Sequence, residues 1–145
     1  MDENLELLKA VYKNADMGVK TLTDLLNGIR HTDNKIKGLI EEELKCYESY
    51  VKDSKKLLEK YKEQATGTNF MTDMMTKMGI NKEIKNDNSD SAIASMVIEG
   101  FTMGNLDLDK LITNYEGKAD KKVISLAKKL YKFGEEEVEK LKKYV

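Results

Sequence analysis

Residues 2–29 read DENLELLKAVYKNADMGVKTLTDLLNGI, and this stretch decides the fold class. Apolar residues recur in it at alternating steps of three and four. These positions are Leu5, Leu8, Tyr12, Ala15, Val19, Leu22, Leu26 and Ile29. About four such repeats predict a long helix with one apolar stripe, as in a helical bundle. Asp2 is the expected N-cap. Gly18 lies inside the helix, so we expect a neighbouring helix to approach closely there.

Three further stretches show the same spacing. The second helix is expected to begin at Thr32 or Asp33, only a few residues after the first, so the two should pack antiparallel. The third should begin near residues 89–91 and end about Tyr115, and the fourth should follow an Asp120 cap. The predicted stripe of the second helix is Ile36, Ile40, Leu44, Tyr47, Val51, Ser54, Leu58 and Tyr61. That of the third is Ile93, Val97, Gly100, Gly104, Leu108, Leu111 and Tyr115. That of the fourth is Val123, Leu126, Ala127, Leu130, Phe133, Glu137 or Val138, and Leu141.

The composition of the chain argues against several classes of function. The chain has 145 residues, which suits a single domain (1–145), and the absence of proline favours long helices. Its 25 basic and 26 acidic residues nearly cancel, which argues against a nucleic-acid-binding module. The acidic start lacks the features of a signal peptide, and no apolar run approaches membrane-spanning length. We therefore expect a cytoplasmic protein that contacts neither nucleic acid nor membrane.

An internal repeat relates the two halves of the chain. Met17-Gly18 recurs as Met103-Gly104, and Asp33 aligns with Asp120 at nearly the same offset. The two hairpins would be joined by one long connection, about residues 64–90. Short, long and short connections favour a crossover topology, in which this connection runs the length of the bundle.

This pattern resembles the ferritin-like superfamily, including small uncharacterised ferritin-like proteins of low-GC Gram-positive bacteria. The resemblance implies a bacterial four-helix bundle made from a duplicated hairpin. Di-iron members of that superfamily carry a Glu on two helices and Glu-x-x-His on the other two. This chain contains no Glu-x-x-His, and its single histidine, His31, is expected in a solvent-facing loop. The di-iron activity is therefore not carried over to any residue here.

Two acidic triplets supply candidate metal ligands. Residues 41–43 and 135–137 are each Glu-Glu-Glu, and each triplet places one carboxylate near a stripe, Glu43 and Glu137. Paired buried carboxylates can bind a divalent cation or share a proton, and Glu99 is a third candidate. The alternative is that these triplets are solvated helix faces paired with lysines.

Four methionines lie close together at Met71, Met74, Met75 and Met78. Three interpretations remain open. They can fill an adaptable apolar surface where the connection packs on the bundle, they can form an interaction surface for a partner, or their thioethers can bind Cu(I).

No catalytic set can be assembled. Cys46 is expected to be an inert, partly buried thiol, because no histidine is paired with it as a base and His31 is the only histidine. No phosphate-binding glycine pattern and no other cofactor motif is present. The sequence therefore predicts a non-catalytic helical bundle that acts through protein–protein contacts, with a partner or as a homodimer. The alternatives are a ferritin-like protein with a reduced or altered carboxylate metal site, and an apolar-ligand pocket beside Gly100 and Gly104.

Overall fold

A computed structural model describes residues 2–62 and 88–145, and these ranges form an all-α four-helix bundle, as predicted. The helices are α1 (Glu3–Gly28), α2 (Lys37–Lys62), α3 (Asp90–Tyr115) and α4 (Lys121–Leu141). A 3₁₀ turn, Lys142–Tyr144, follows α4. None of the helices in these ranges is long and apolar enough to cross a membrane.

Helix α1 contacts all three other helices. Its Asp2 cap is confirmed, since the Asp2 carboxylate accepts a hydrogen bond from the Asn4 N–H. Because α1 has neighbours on several sides, its buried surface is wider than one stripe. Leu7, Val11 and Leu25 are fully buried although the simple repeat omits them.

Helix α2 begins at Lys37, four or five residues later than predicted. The cause is a tertiary cap, because the carboxylate of Asp90 on α3 accepts hydrogen bonds from the Lys35 and Ile36 N–H groups. The Asn34 side chain also donates to this carboxylate, at 2.8 Å. The chain before Lys37 is therefore held as a loop, and the predicted cap residue Asp33 is exposed.

The buried stripe of α3 differs from the prediction at two points. Ile112 is buried where Leu111 was predicted, and Leu111 is only partly buried. Gly100 is exposed, and Phe101 is buried in its place. The stripe takes a step of four from Val97 to Phe101, because a phenylalanine ring gains far more from burial than a glycine does. On α4 the stripe continues through Glu137, with Val138 only partly buried.

Hydrogen bonds at the two ends of the bundle give the helix directions. At one end, Asp120 accepts from the Tyr61 hydroxyl at 2.6 Å, and its N–H donates to the Asn4 side chain at 2.6 Å. Asp120 occupies the predicted N-cap position of α4 but makes no side-chain cap bond. Asn34 and Asp90 meet at the other end. Helix α2 therefore ends at the opposite end of the bundle from the start of α3. Most of the predicted 64–90 crossover lies outside the described residues, so its path stays a prediction.

Candidate functional site

Two carboxylates are buried between facing helices. Glu43 on α2 is 1% exposed and Glu137 on α4 is 5% exposed. Each lies one helical turn from an aromatic core residue on its own helix. Glu137 follows Phe133 by four residues, and Glu43 precedes Tyr47 by four. The spacing of four puts each carboxylate and its ring on the same helix face. The structure thus brings together two of the three predicted carboxylates.

An aromatic cluster packs below these carboxylates. The Tyr47 ring stacks on Phe101 with centroids 5.4 Å apart and meets Phe133 edge-on at 5.3 Å. On its other side the ring lies against Gly18 of α1, where an added Cβ would be 2.5 Å from the ring. The close approach expected at Gly18 is therefore an aromatic contact. The rings exclude water from the carboxylates and lower the local dielectric.

Burial between the helices determines the protonation of Glu43. Burial, with the adjacent Glu137 carboxylate as the next cause, raises the pKa of Glu43 to about 9. Neither Glu43 oxygen makes an aligned hydrogen bond to a described residue. The Lys140 ammonium lies 3.1 Å from the Glu137 carboxylate and compensates its charge. At neutral pH, Glu43 therefore holds a proton beside a carboxylate that is paired with lysine.

This arrangement suits proton retention more than metal binding, because a protonated carboxyl is a poor cation ligand. Glu99, the third candidate, is exposed. Within residues 2–62 and 88–145, no group of three or more His, Cys, Asp and Glu side chains is placed to hold a metal ion. The residues present also do not fit a di-iron centre, since its Glu-x-x-His ligands have no counterpart here.

His31 and Cys46, the two residues considered for nucleophilic catalysis, both lie on the surface. His31 is exposed in the turn after α1, as expected. Cys46 is exposed and not partly buried as expected, because it points away from the stripe that carries Tyr47. Partial desolvation, followed by the charge of Glu137, raises the pKa of the Cys46 thiol, so it has little thiolate character.

Among the described residues, no interior space for an apolar ligand is found beside Gly100 or Gly104. Gly104 lies against the Asn14 side chain, which donates to its carbonyl oxygen at 3.3 Å. Gly100 faces outward with nothing within 4 Å. The four candidate methionines, Met71, Met74, Met75 and Met78, lie outside the described residues.

A groove on the outer face between α3 and α4 was not predicted from the sequence. It encloses about 310 Å³. Its lining residues are Thr102, Asn105, Leu106, Asp109, Tyr131, Glu135, Val138 and Glu139. We call it the α3–α4 groove. Next to it the two helices approach closely at Gly134, where an added Cβ would clash with the Asn105 side chain. Asn105 also donates to the Tyr131 carbonyl oxygen at 3.0 Å.

One of the exposed large apolar side chains lies in this groove. Among the described residues, the exposed large hydrophobic side chains are Met103, Leu106 and Val145, at 62%, 60% and 63%. Met103 and Leu106 lie one turn apart on α3, and Leu106 lines the α3–α4 groove. In the sequence, Leu106 lies two residues before the stripe residue Leu108 and outside the stripe. This position is the sequence feature that could have indicated that Leu106 is exposed.

Comparison of the chain with protein-family models, curated proteins and solved structures gives no match. The ferritin-like resemblance and the internal duplication therefore stay predictions.

Proposed function

We propose that this chain is a non-catalytic helical bundle that acts through protein–protein contacts, and that the outer face of α3 and α4 is its contact surface. The supporting observation is the exposure of Leu106 beside the α3–α4 groove, with Met103 exposed one turn away. Burying one such side chain at an interface contributes about 1.5–3 kcal/mol. Single exposed apolar residues are common on monomers, so the argument rests on Leu106 lining a groove while Met103 is exposed one turn away.

Site-specific photo-crosslinking tests this proposal. A photoreactive amino acid is placed at position 106 and, in a matched protein, at position 145, because Leu106 and Val145 are almost equally exposed. Both proteins are expressed in the cells that naturally make the chain. We expect discrete crosslinked species at position 106 that are absent at position 145, identified by mass spectrometry as a second copy or a partner. Equal patterns, or none, at the two positions would contradict the proposal.

The second candidate is a reduced or altered carboxylate metal site at Glu43 and Glu137. The supporting observation is that both carboxylates are buried and that the Glu43 oxygens have no aligned partner among the described residues. Elemental mass spectrometry on protein purified without chelator, and again after reconstitution, decides this candidate. Near-stoichiometric metal that is lost in the Glu43→Gln/Glu137→Gln protein would support it. Metal-free protein after reconstitution would remove it.

A further inference from the structure

The α3–α4 groove combines an apolar strip with acidic edges. Leu106 on α3 and Val138 on α4 provide its apolar side chains. Asp109, Glu135 and Glu139 provide three carboxylates, and none of its lining residues is lysine or arginine. Such a groove between two helices has the shape that a third amphipathic helix can occupy.

The acidic charge of the groove is only partly compensated. Glu139 is paired with Lys142 at 2.9 Å. Neither Asp109 nor Glu135 forms an ion pair with another of the residues the structure describes. Both carboxylates raise the pKa of the neighbouring Tyr131. The negative charge of Glu135 is the largest cause, and burial and the charge of Asp109 raise this pKa further. A ligand that brings positive charge would therefore meet two carboxylates that form no ion pair among the described residues.

We propose that the α3–α4 groove binds a basic amphipathic segment of a partner protein, with an apolar residue against Leu106 and Val138 and lysine or arginine side chains near Asp109 and Glu135. This inference rests on the proposed function and adds the chemical class of the partner. The apolar contact supplies most of the affinity, and the charges select for basic segments, because exposed ion pairs contribute little individually but steer and discriminate partners.

Synthetic peptides provide the probe. The first is a helical peptide about four turns long, with leucine along one face and lysine elsewhere. The second has every lysine replaced by glutamate, and the third keeps the lysines but has serine in place of leucine. Binding to the purified full chain is measured by calorimetry and by amide chemical-shift changes. We expect the leucine–lysine peptide to bind at least about tenfold more tightly than either of the others, with shifts centred on Leu106 and Val138.

Variants separate the groove from general attraction to the protein surface. Asp109→Lys/Glu135→Lys reverses the charges of these two carboxylates, and we expect it to weaken binding of the leucine–lysine peptide about fivefold or more. The matched control is Asp107→Lys/Glu136→Lys, which makes the same changes at exposed positions on the same helices outside the groove. This control should retain wild-type affinity. Circular dichroism confirms that both proteins are folded.

Each outcome decides between the inference and the proposed function. Equal binding of the lysine and glutamate peptides, or equal losses in the two double variants, would overturn the basic-partner inference. If the basic-partner inference fails but position 106 still crosslinks to a protein, the proposed contact function stands without a preference for basic segments. Equal binding of the leucine and serine peptides would show surface electrostatics alone, which also overturns the inference.

Discussion

Gly18 is a residue at which the packing of a neighbouring helix leaves no room for a side chain. A Cβ added there would lie 2.5 Å from ring atoms of Tyr47, and that ring is held by Phe101 and Phe133. Gly18→Ala should gain about 1 kcal/mol of helix propensity but lose more through overpacking. We expect a net destabilisation of up to about 2 kcal/mol, measured by urea unfolding.

Gly100 gives the matched control for this variant. It is exposed on α3 with nothing within 4 Å, so Gly100→Ala changes propensity alone. We expect it to stabilise the protein by up to about 1 kcal/mol. If both alanine variants stabilise the protein equally, the aromatic contact at Gly18 does not constrain the bundle.

Glu43 makes the stability of the protein depend on pH. Its folded-state pKa is raised from 4.5 to about 9. Between these values the native protein keeps a proton that the unfolded chain has released. The contribution of Glu43 to stability is therefore full below pH 4.5 and is lost as the pH rises towards 9. Glu43→Gln should remove this loss and stabilise the protein by about 1–3 kcal/mol at pH 7, with little change near pH 4.

Unfolding measured at several pH values checks this expectation. Glu42→Gln is the control, because Glu42 is the exposed neighbour of Glu43 on α2. The wild type and Glu42→Gln should lose stability with similar slopes as the pH rises from 5 to 9, and Glu43→Gln should have a smaller slope. Parallel profiles for all three proteins would mean that Glu43 is ionised in the folded state.

At the scale of the helices, Asp90 connects the two hairpins. It is the first residue of α3, yet its carboxylate receives the Lys35 and Ile36 N–H groups before α2. Burial alone would raise its pKa, but the hydrogen bonds from Asn34, Lys35 and Ile36 lower it. Its stabilising contribution is therefore present above the ordinary aspartate pKa and is lost as the pH falls below it. Asp90→Ala should destabilise the protein by about 1–2 kcal/mol at pH 7, measured by thermal unfolding.

Asp33→Ala is the informative control for this tertiary cap. Asp33 is the residue that the sequence indicated as a local cap of α2, and it is exposed in the loop. We expect its removal to change stability by no more than about 0.5 kcal/mol. A larger loss at Asp33 than at Asp90 would show that the local cap operates after all.

These two aspartates illustrate what the sequence could predict about the elements. Apolar spacing located all four helices, because a helix facing a core must repeat its apolar residues at the helical period. The start of α2 was misplaced because its cap comes from a residue 54 positions away from Ile36. The stripe of α3 was misplaced at Gly100 because spacing alone does not weigh a ring against a glycine. Local patterns carry no information about such long-range contacts.

The candidate sites were likewise predictable from local sequence patterns only in part. Glu43 and Glu137 were identifiable because each lies near an apolar stripe within an acidic triplet. That they face each other depends on how α2 and α4 are rotated, which only the assembled bundle gives. The α3–α4 groove combines residues about 30 positions apart from two helices, and no local motif marks it. Residues 71–78 lie outside the described ranges, so their interpretations stay open.

At the scale of the whole molecule, α2 and α3 run in the same direction. Tyr61 near the end of α2 bonds to Asp120 at one end of the bundle, and Asp90 at the start of α3 lies at the other. Helix α2 has 26 residues and is about 39 Å long. The chain between residues 62 and 88 must therefore connect points separated by about this length.

Replacing residues 63–87 with flexible linkers tests this geometry. A Gly/Ser linker of about six residues reaches at most about 21 Å, so it cannot join α2 to α3 within one molecule. We expect that protein to unfold or to form a dimer in which hairpins are exchanged between copies. A Gly/Ser linker of the original length reaches about 85 Å when extended and should allow a helical monomer. Light scattering after gel filtration gives the mass, and circular dichroism gives the helix content.

The long-linker protein is also the control for the side chains it removes. If it is a helical monomer with a lowered melting temperature, the replaced segment contributes stability but does not determine the topology. Loss of helix content with the long linker would show that the segment completes the core. A stable monomer with the short linker would contradict the parallel arrangement of α2 and α3, since only helix ends at the same side of the bundle can be joined over so short a distance.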